Sequence, residues 1–261
     1  MHSNYFLMIE EHGVSLLCIS LFSVITNVLC KKFGPQRKVD GFGLWNWMMS
    51  LFWQFVIYPY FAIAAWKQKD FGMQWLYCGW DDFPSMFFEK GFHYAFFGYL
   101  IKDMWELRSD FLFMLHHIIC LLGIMVSFSL SAGVGFTVWI VFILETGTAS
   151  FNCKKIWSDN FAVSRAYHCV MTLSNSVALV ILFFFCQIDL DLFTKTLCII
   201  IIMSLLIGRQ QEVFLDIKKA QRKVVCAPAS SEQKVGCVTA SFGPATTEEN
   251  LAADESKAKA S

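Results

Sequence analysis

The residues of this chain best suited to chemistry are two adjacent histidines, His116 and His117, in the apolar stretch "FLFMLHHIICLLGIMV". Two acids stand in similar surroundings: Glu145 in "WIVFILETGTASFNCKK" and Asp103 in "FFGYLIKDMW". A neutral imidazole takes up a proton, and a carboxylate beside it orients the ring, so these groups could serve as a general base with its orienting acid. The same groups could hold the polar end of a lipid, or join helices by hydrogen bonds. Consecutive helical residues point about 100° apart. His116 and His117 therefore cannot both aim at one atom, and the pattern predicts one facing a cavity and the other bonding to a neighbouring helix. Neither histidines at i and i+4 nor a CxxC pair occurs, so no metal site is expected.

An ionised acid at the centre of a bilayer costs about 2.5–3.5 kcal/mol on insertion scales. Glu145 should therefore face a helix-bundle interior and be paired or neutral, with a histidine as its natural partner. Gly147, Thr148, Ser150 and Asn152 follow it as small or polar residues, which suits close helix approach. His93 and His168 fall toward span ends and read as interfacial, while Ser174, Asn175 and Ser176 in "LSNSVALV" read as interhelical hydrogen-bonding groups.

The elements that must position these residues follow from composition. The 261-residue chain is 56% hydrophobic and 16% charged, which excludes an ordinary soluble domain. Its formal net charge of zero points to no nucleic-acid partner. Of the ten cysteines, Cys18, Cys120, Cys169 and Cys198 lie in apolar runs and read as buried small hydrophobes, not as a disulfide framework. Apolar blocks near 14–30, 44–66, 85–104, 110–130, 134–153, 166–186 and 193–208 predict an all-α membrane protein. It would be a multi-span helical bundle of about seven transmembrane helices, six to eight allowing for the charge-flanked third block and the short seventh. The first block follows Glu10 and Glu11 and lacks a basic leader, so it reads as a retained span. Pro59 should kink the second.

Cytoplasmic loops carry the excess of Lys and Arg. A lumenal N-terminus and cytosolic C-terminus put seventeen of the 21 Lys and Arg on the cytosolic side and leave Lys67, Lys69, Lys90 and Lys195 opposite. The organisation expected is a lumenal N-tail, first span and basic cytosolic loop over 1–38, a bundle domain over 39–217, and a tail over 218–261. That tail begins basic, with Lys218, Lys219, Arg222 and Lys223 available to anionic headgroups or to solvent, and from about Cys226 becomes too polar to bury a core. The closing "KAKAS" sets Lys257 and Lys259 in a pattern that resembles the KxKxx retrieval signal of endoplasmic reticulum membrane proteins, which would make a retrieval coat a partner.

In order and spacing, "GYLIKDMW", the double histidine and "ETGTASFNCKKIW" resemble the TLC domain. This multi-span fold is shared by ceramide synthases, translocation-associated membrane proteins and several small TLC-domain proteins, and the likeness covers roughly residues 39–217. The small members carry a pattern near Glu-x-Ser-x-Pro-x-x-Asn followed by a basic residue. Glu145, Asn152 and Lys154 match it, while Gly147 and Ala149 replace the serine and proline. Ceramide synthases carry His-Asp-x-Ser-Asp after the double histidine, where this chain has Leu144-Glu145-Thr146-Gly147-Thr148.

The resemblance implies a multi-pass endoplasmic reticulum protein of membrane lipid homeostasis. It would bind, sense or transfer an acyl or sphingoid lipid in an intramembrane cavity, with His116, His117, Glu145 and Asn152 at the lipid's polar end and no cofactor. An alternative is an N-acyltransferase with acyl-CoA as co-substrate and His116, His117, Glu145 and Asp103 as catalytic groups. There Arg108, Lys154 and Lys155 would flank a cytosolic entrance for CoA. A third is a cargo or translocation factor, indifferent to loss of both histidines. For the topology, an acceptor site for N-glycosylation appended to the N-terminus should be glycosylated in cells, and a tag that stays unmodified reverses the orientation.

Overall fold

A backbone surrounded by hydrocarbon has to satisfy its own N–H and C=O groups, and the chain accordingly folds almost wholly into helices. In the computed structural model, residues 2–83, 85–107 and 111–225 are described. Helix α1 (His2–Phe33) leads through a two-strand ladder, β1 (Lys38–Val39) and β2 (Phe42–Gly43), into α2 (Leu44–Phe52). A π-helical turn (Trp53–Ile57) joins α2 to α3 (Tyr58–Gln68), and a 3₁₀ turn (Met73–Tyr77) precedes α4 (Phe87–Leu107). There follow α5 (Phe111–Phe128), α6 (Val134–Ile156), α7 (Phe161–Phe185) and α8 (Leu192–Val225).

Five stretches are long and apolar enough to cross a membrane: His12–Phe33, Leu44–Gln68, Val134–Ile156, Phe161–Phe185 and Leu192–Lys219. Helix α5 adds the shorter apolar stretch Met114–Phe128. The architecture is an all-α membrane bundle, and its described residues up to Lys219 belong to one compact unit.

The second apolar block is one continuous helical span, Leu44–Gln68, interrupted in its regularity by a π turn just before Pro59. Pro59 has no N–H for the carbonyl four residues back, and its ring crowds that carbonyl. The π turn widens the ladder just before it, and α3 restarts with the proline in its first turn, where the missing N–H is not needed. The wider turn also points Trp53 and Gln54 into the bundle, where both are buried. Between α1 and α2 the hairpin closes through Asp40 and Gly41, both at positive φ, the Asp-Gly pair that a two-residue type I′ turn favours.

Helix α6 is the central element: it packs on α7 and also meets α2, the π turn, α3 and α4. Helix α1 lies along α4, with His12 Nδ1 2.7 Å from the Tyr94 hydroxyl and the His12 ring stacked on Phe128. Tyr58 is completely buried among Phe92, Phe96 and Tyr99, with ring centroids 5.6–6.0 Å away. Aromatic pairs of this kind contribute about 0.5–1.5 kcal/mol each beyond their buried area. That is useful in a bilayer, where apolar contact with lipid competes with contact between helices.

Several boundaries differ from the apolar blocks. Helix α7 begins at Phe161, ahead of the block near 166, because Asn160 caps it: Oδ1 accepts from the backbone N–H groups of Ala162 (3.0 Å) and Val163 (3.2 Å). Asp191 starts α8 in the same way, accepting from the Thr194 N–H at 2.9 Å. Hydrogen bonds from the Thr194 side chain and backbone hold the Asp191 carboxyl below the usual carboxylate range.

The charged residues expected at the ends of the third block are largely internal. Glu89, Lys102 and Asp103 are all buried on α4, Glu89 accepting from Trp75 Nε1 at 2.7 Å and Lys102 pairing with Asp103 at 2.6 Å. Charges that find partners inside the bundle need not leave it. The cysteine expectation is corrected by half: Cys120 and Cys198 are buried, whereas Cys18 and Cys169 lie on the outer face, where the apolar surroundings are not protein.

Close packing around α6 makes a testable contrast. A Cβ at Gly135 would stand 2.8 Å from Leu76 Cα and 2.9 Å from the Trp75 carbonyl, while one at Gly208 would meet nothing within 4 Å. Gly135→Val should lower stability by about 1–3 kcal/mol through overpacking. Gly208→Ala should raise it by about 0.5–1 kcal/mol through helix propensity. Thermal unfolding in detergent measures both.

Candidate functional site

Two polar networks cross the interior at the level of the sequence-predicted residues. In the first, Gln54 from the π turn donates through Nε2 to Glu145 Oε2 at 2.8 Å and accepts through Oε1 from Asn152 Nδ2 at 2.9 Å. All three are buried. One glutamine amide thus ties the π turn to two positions on α6 about two turns apart, and the carboxylate meets this amide where a histidine partner was expected. Sequence reasoning missed Gln54, although an amide inside the apolar run "FWQFVIYPY" was the signal for it.

In the second network, Lys102 Nζ lies 2.6 Å from Asp103 Oδ1 and donates to Asn46 Oδ1 (3.3 Å) and Ser50 Oγ (3.5 Å) on α2. His117 Nε2 stands 3.5 Å from Asp103 Oδ2. The buried lysine, acid and histidine join α4 to α2 and α5, and within this network the lysine and the acid answer each other's charge.

His116 points elsewhere. It lines a cavity between α4, α5, α6 and α8, and its Nε2 lies 3.7 Å from Cys120 Sγ. About 80 Å³ of this cavity is open to the centre of a water-sized sphere, several times the roughly 10–15 Å³ that one water requires. His93, Ser127 and Thr137 stand toward one end, and His116, Glu145 and Arg209 toward the other. The wall between them is built from Ile124, Ile140, Val141, Ile201, Ile202 and Leu205. At 1.5 Å per residue, His116 to Ser127 on α5 spans roughly 16 Å and Thr137 to Glu145 on α6 roughly 12 Å. The space is therefore an apolar slot with polar groups at both ends.

Two of those groups were not foreseen. His93 is buried, not interfacial. Its Nδ1 lies 2.8 Å from the Glu89 carbonyl, an acceptor, so the proton belongs on Nδ1, and Nε2 is left 3.3 Å from Thr137 Oγ1. Arg209 was counted among cytosolic residues beyond a span ending at 208. Helix α8 instead continues without a break and brings Arg209 against the middle of α6.

The Arg209 guanidinium donates from Nε to Asn175 Oδ1 (3.1 Å), from Nη1 to Thr148 Oγ1 (2.6 Å), and from Nη2 to the Leu144 carbonyl (2.7 Å) and Met171 Sδ (3.0 Å). A Cβ at Gly147 would collide with this guanidinium and with Ser174 Oγ, so the glycine makes room for the arginine. Of Ser174, Asn175 and Ser176, it is Asn175 that joins α7 to α8, through Arg209 and Gln210. The two serine hydroxyls turn back to carbonyls of their own helix.

Among the residues singled out from sequence, the structure brings His116 and Glu145 to the cavity and sets His117, Asp103 and Asn152 in the networks beside it. At the far end of α6, Lys154 pairs with Asp216, which also accepts from His168, and Lys155 pairs with Asp40. Arg108 and the "KAKAS" lysines lie outside the described residues, as do Cys226 onward. Among the described residues no group of three His, Cys, Asp or Glu side chains is placed to hold a metal ion. Comparison with known protein families, curated proteins and solved structures finds no match to this chain.

Gln54 serves two partners and Asn152 one. Gln54→Leu leaves both Glu145 and Asn152 without their amide, at a cost of roughly 1–3 kcal/mol for each stranded group. Asn152→Leu should cost about half as much. Equal losses for the two variants in detergent unfolding would show that the amide chain is not what couples the π turn to α6.

Proposed function

We propose that this chain is a multi-pass membrane protein of TLC type that holds an acyl or sphingoid lipid in the cavity between α4, α5, α6 and α8. One observation carries the reading: an apolar slot closed at one end by His116, Glu145 and Arg209. Apolar walls with a few convergent polar groups are what a lipid chain and its headgroup require. The shared order of a buried acid on α4, a double histidine on α5 and an acid-to-asparagine stretch on α6 supports the TLC comparison.

In this reading α4 and α5 complete seven spans, with a lumenal N-terminus and a cytosolic C-terminus. Two of the seventeen cytosolic cations, Lys102 and Arg209, belong to the interior, and the remaining fifteen against four keep the same orientation. The endoplasmic reticulum is the proposed location, on the TLC resemblance, and lipid homeostasis by binding, sensing or transfer the proposed role.

Lipid extraction and mass spectrometry of the purified protein test this directly. Wild type should retain a chain lipid in about equimolar amount, and Gly123→Phe, which places a ring in the cavity from α5, should lose it while remaining folded. Retention by both, or by neither, places no lipid in the slot.

N-acyl transfer from acyl-CoA is the second reading, favoured by the presence of an imidazole, His116, on the cavity wall and a His117–Asp103 pair beside it. His116 would accept the proton of the attacking amine while the second histidine and its acid hold α5 in place. Microsomes lacking their own ceramide synthases, given acyl-CoA and amine acceptors, should then make product that disappears with His116→Ala.

A further inference from the structure

Arg209 narrows the headgroup. Among the described residues its guanidinium bonds to neutral oxygens and one sulfur and forms no ion pair. An arginine does not lose its proton in a protein, and of its five N–H groups four are directed at these partners, so one Nη1–H remains. Its Nη2 rests on the carbonyl of Leu144, whose neighbour Glu145 lines the same end of the cavity. Glu145 Oε2 is turned to Gln54. A donor and an acid therefore share one end of an apolar slot without closing on each other as an ion pair.

A ligand for that end has to present an acceptor to Arg209 and a donor to Glu145 side by side, on a headgroup small enough for a slot of this size. We infer that the cavity binds an unesterified fatty acid, its carboxyl bridging Arg209 and Glu145. The carbonyl oxygen accepts from the guanidinium and the acid hydroxyl donates to the Glu145 carboxylate, while the chain lies along α5 and α8 toward His93 and Thr137. The acid enters carrying its own proton, so no charge is added to the interior and no proton transfer is needed. An alkyl ester offers the acceptor without the donor. An alcohol has one oxygen to divide between the two groups. A long-chain amine, protonated, is drawn to Glu145 but repelled by Arg209. This inference rests on the lipid-cavity reading and selects one headgroup within it.

The experiment is binding of tritiated palmitic acid to the purified full-length protein in detergent, competed by unlabelled palmitic acid, its methyl ester, hexadecanol and hexadecylamine. Palmitic acid should compete at concentrations about tenfold or more below each of the others, the worth of one good charge-assisted hydrogen bond. Arg209→Gln should bring acid and ester within about threefold of each other, and Arg209→Lys should keep part of the margin. If Arg209→Gln does not fold, wild-type selectivity among the four competitors decides alone. Equal competition by acid, ester and alcohol overturns the carboxyl bridge and leaves the lipid cavity standing. So does absent binding of palmitic acid by protein that still co-purifies with a chain lipid. Absent binding by protein that also retains no lipid overturns both readings.

Discussion

An ionisable or amide side chain inside this bundle has to be answered inside it, and much of the architecture follows from that constraint. Leaving a buried polar group unpaired costs more than a made hydrogen bond gains, and in hydrocarbon there is no water to make good the loss. The interior accordingly contains connected sets of polar side chains: Gln54 with Glu145 and Asn152, Lys102 with Asp103 and His117, and Arg209 with Asn175 and Thr148. Each set joins different helices. Where apolar contact hardly discriminates between protein and lipid, these bonds specify which helix faces which.

The π turn shows how a local backbone rule becomes part of the site. A proline in the helix interior forces the chain to abandon one regular hydrogen bond, and the extra residue in the preceding turn rotates Gln54 into the core. There the amide has both a donor and an acceptor to place, and an acid and an asparagine on α6 take them. Backbone irregularity inside a bundle is tolerated where it is buried in protein, and here it supplies the partner that lets Glu145 stay in the interior.

The cavity is distinguished by what borders it. Its walls are aliphatic, its two ends polar, and the groups at the His116 end come from three helices far apart in the chain. Glycine at position 147 leaves room for the Arg209 guanidinium, and Asn175 on α7 orients it. The arginine is thus built into the site by residues that have no chemistry of their own.

The helices were legible in the sequence because hydrocarbon imposes length and composition on each one separately: the apolar blocks overlap α1 through α8, with α2 and α3 sharing one block across the π turn. His116, His117, Glu145 and Asp103 were legible as interior residues for the same reason, being polar groups in runs where such groups are costly. Pairings were not. Whether Glu145 meets a histidine or Gln54, and whether Lys102 closes a loop or an interior ion pair, depends on helix rotation and depth, which a one-dimensional pattern does not carry. Arg209 is the clearest case. At the end of an apolar run it reads as a surface cation, and the continuation of α8 past that run, together with the space at Gly147, brings it into the site. The sequence by itself determined that a helical membrane bundle would form with ionisable groups inside it, since burial cost acts residue by residue. The tertiary structure decided which of those groups face one another and which face the cavity, since contacts between helices arise from packing that no single segment contains.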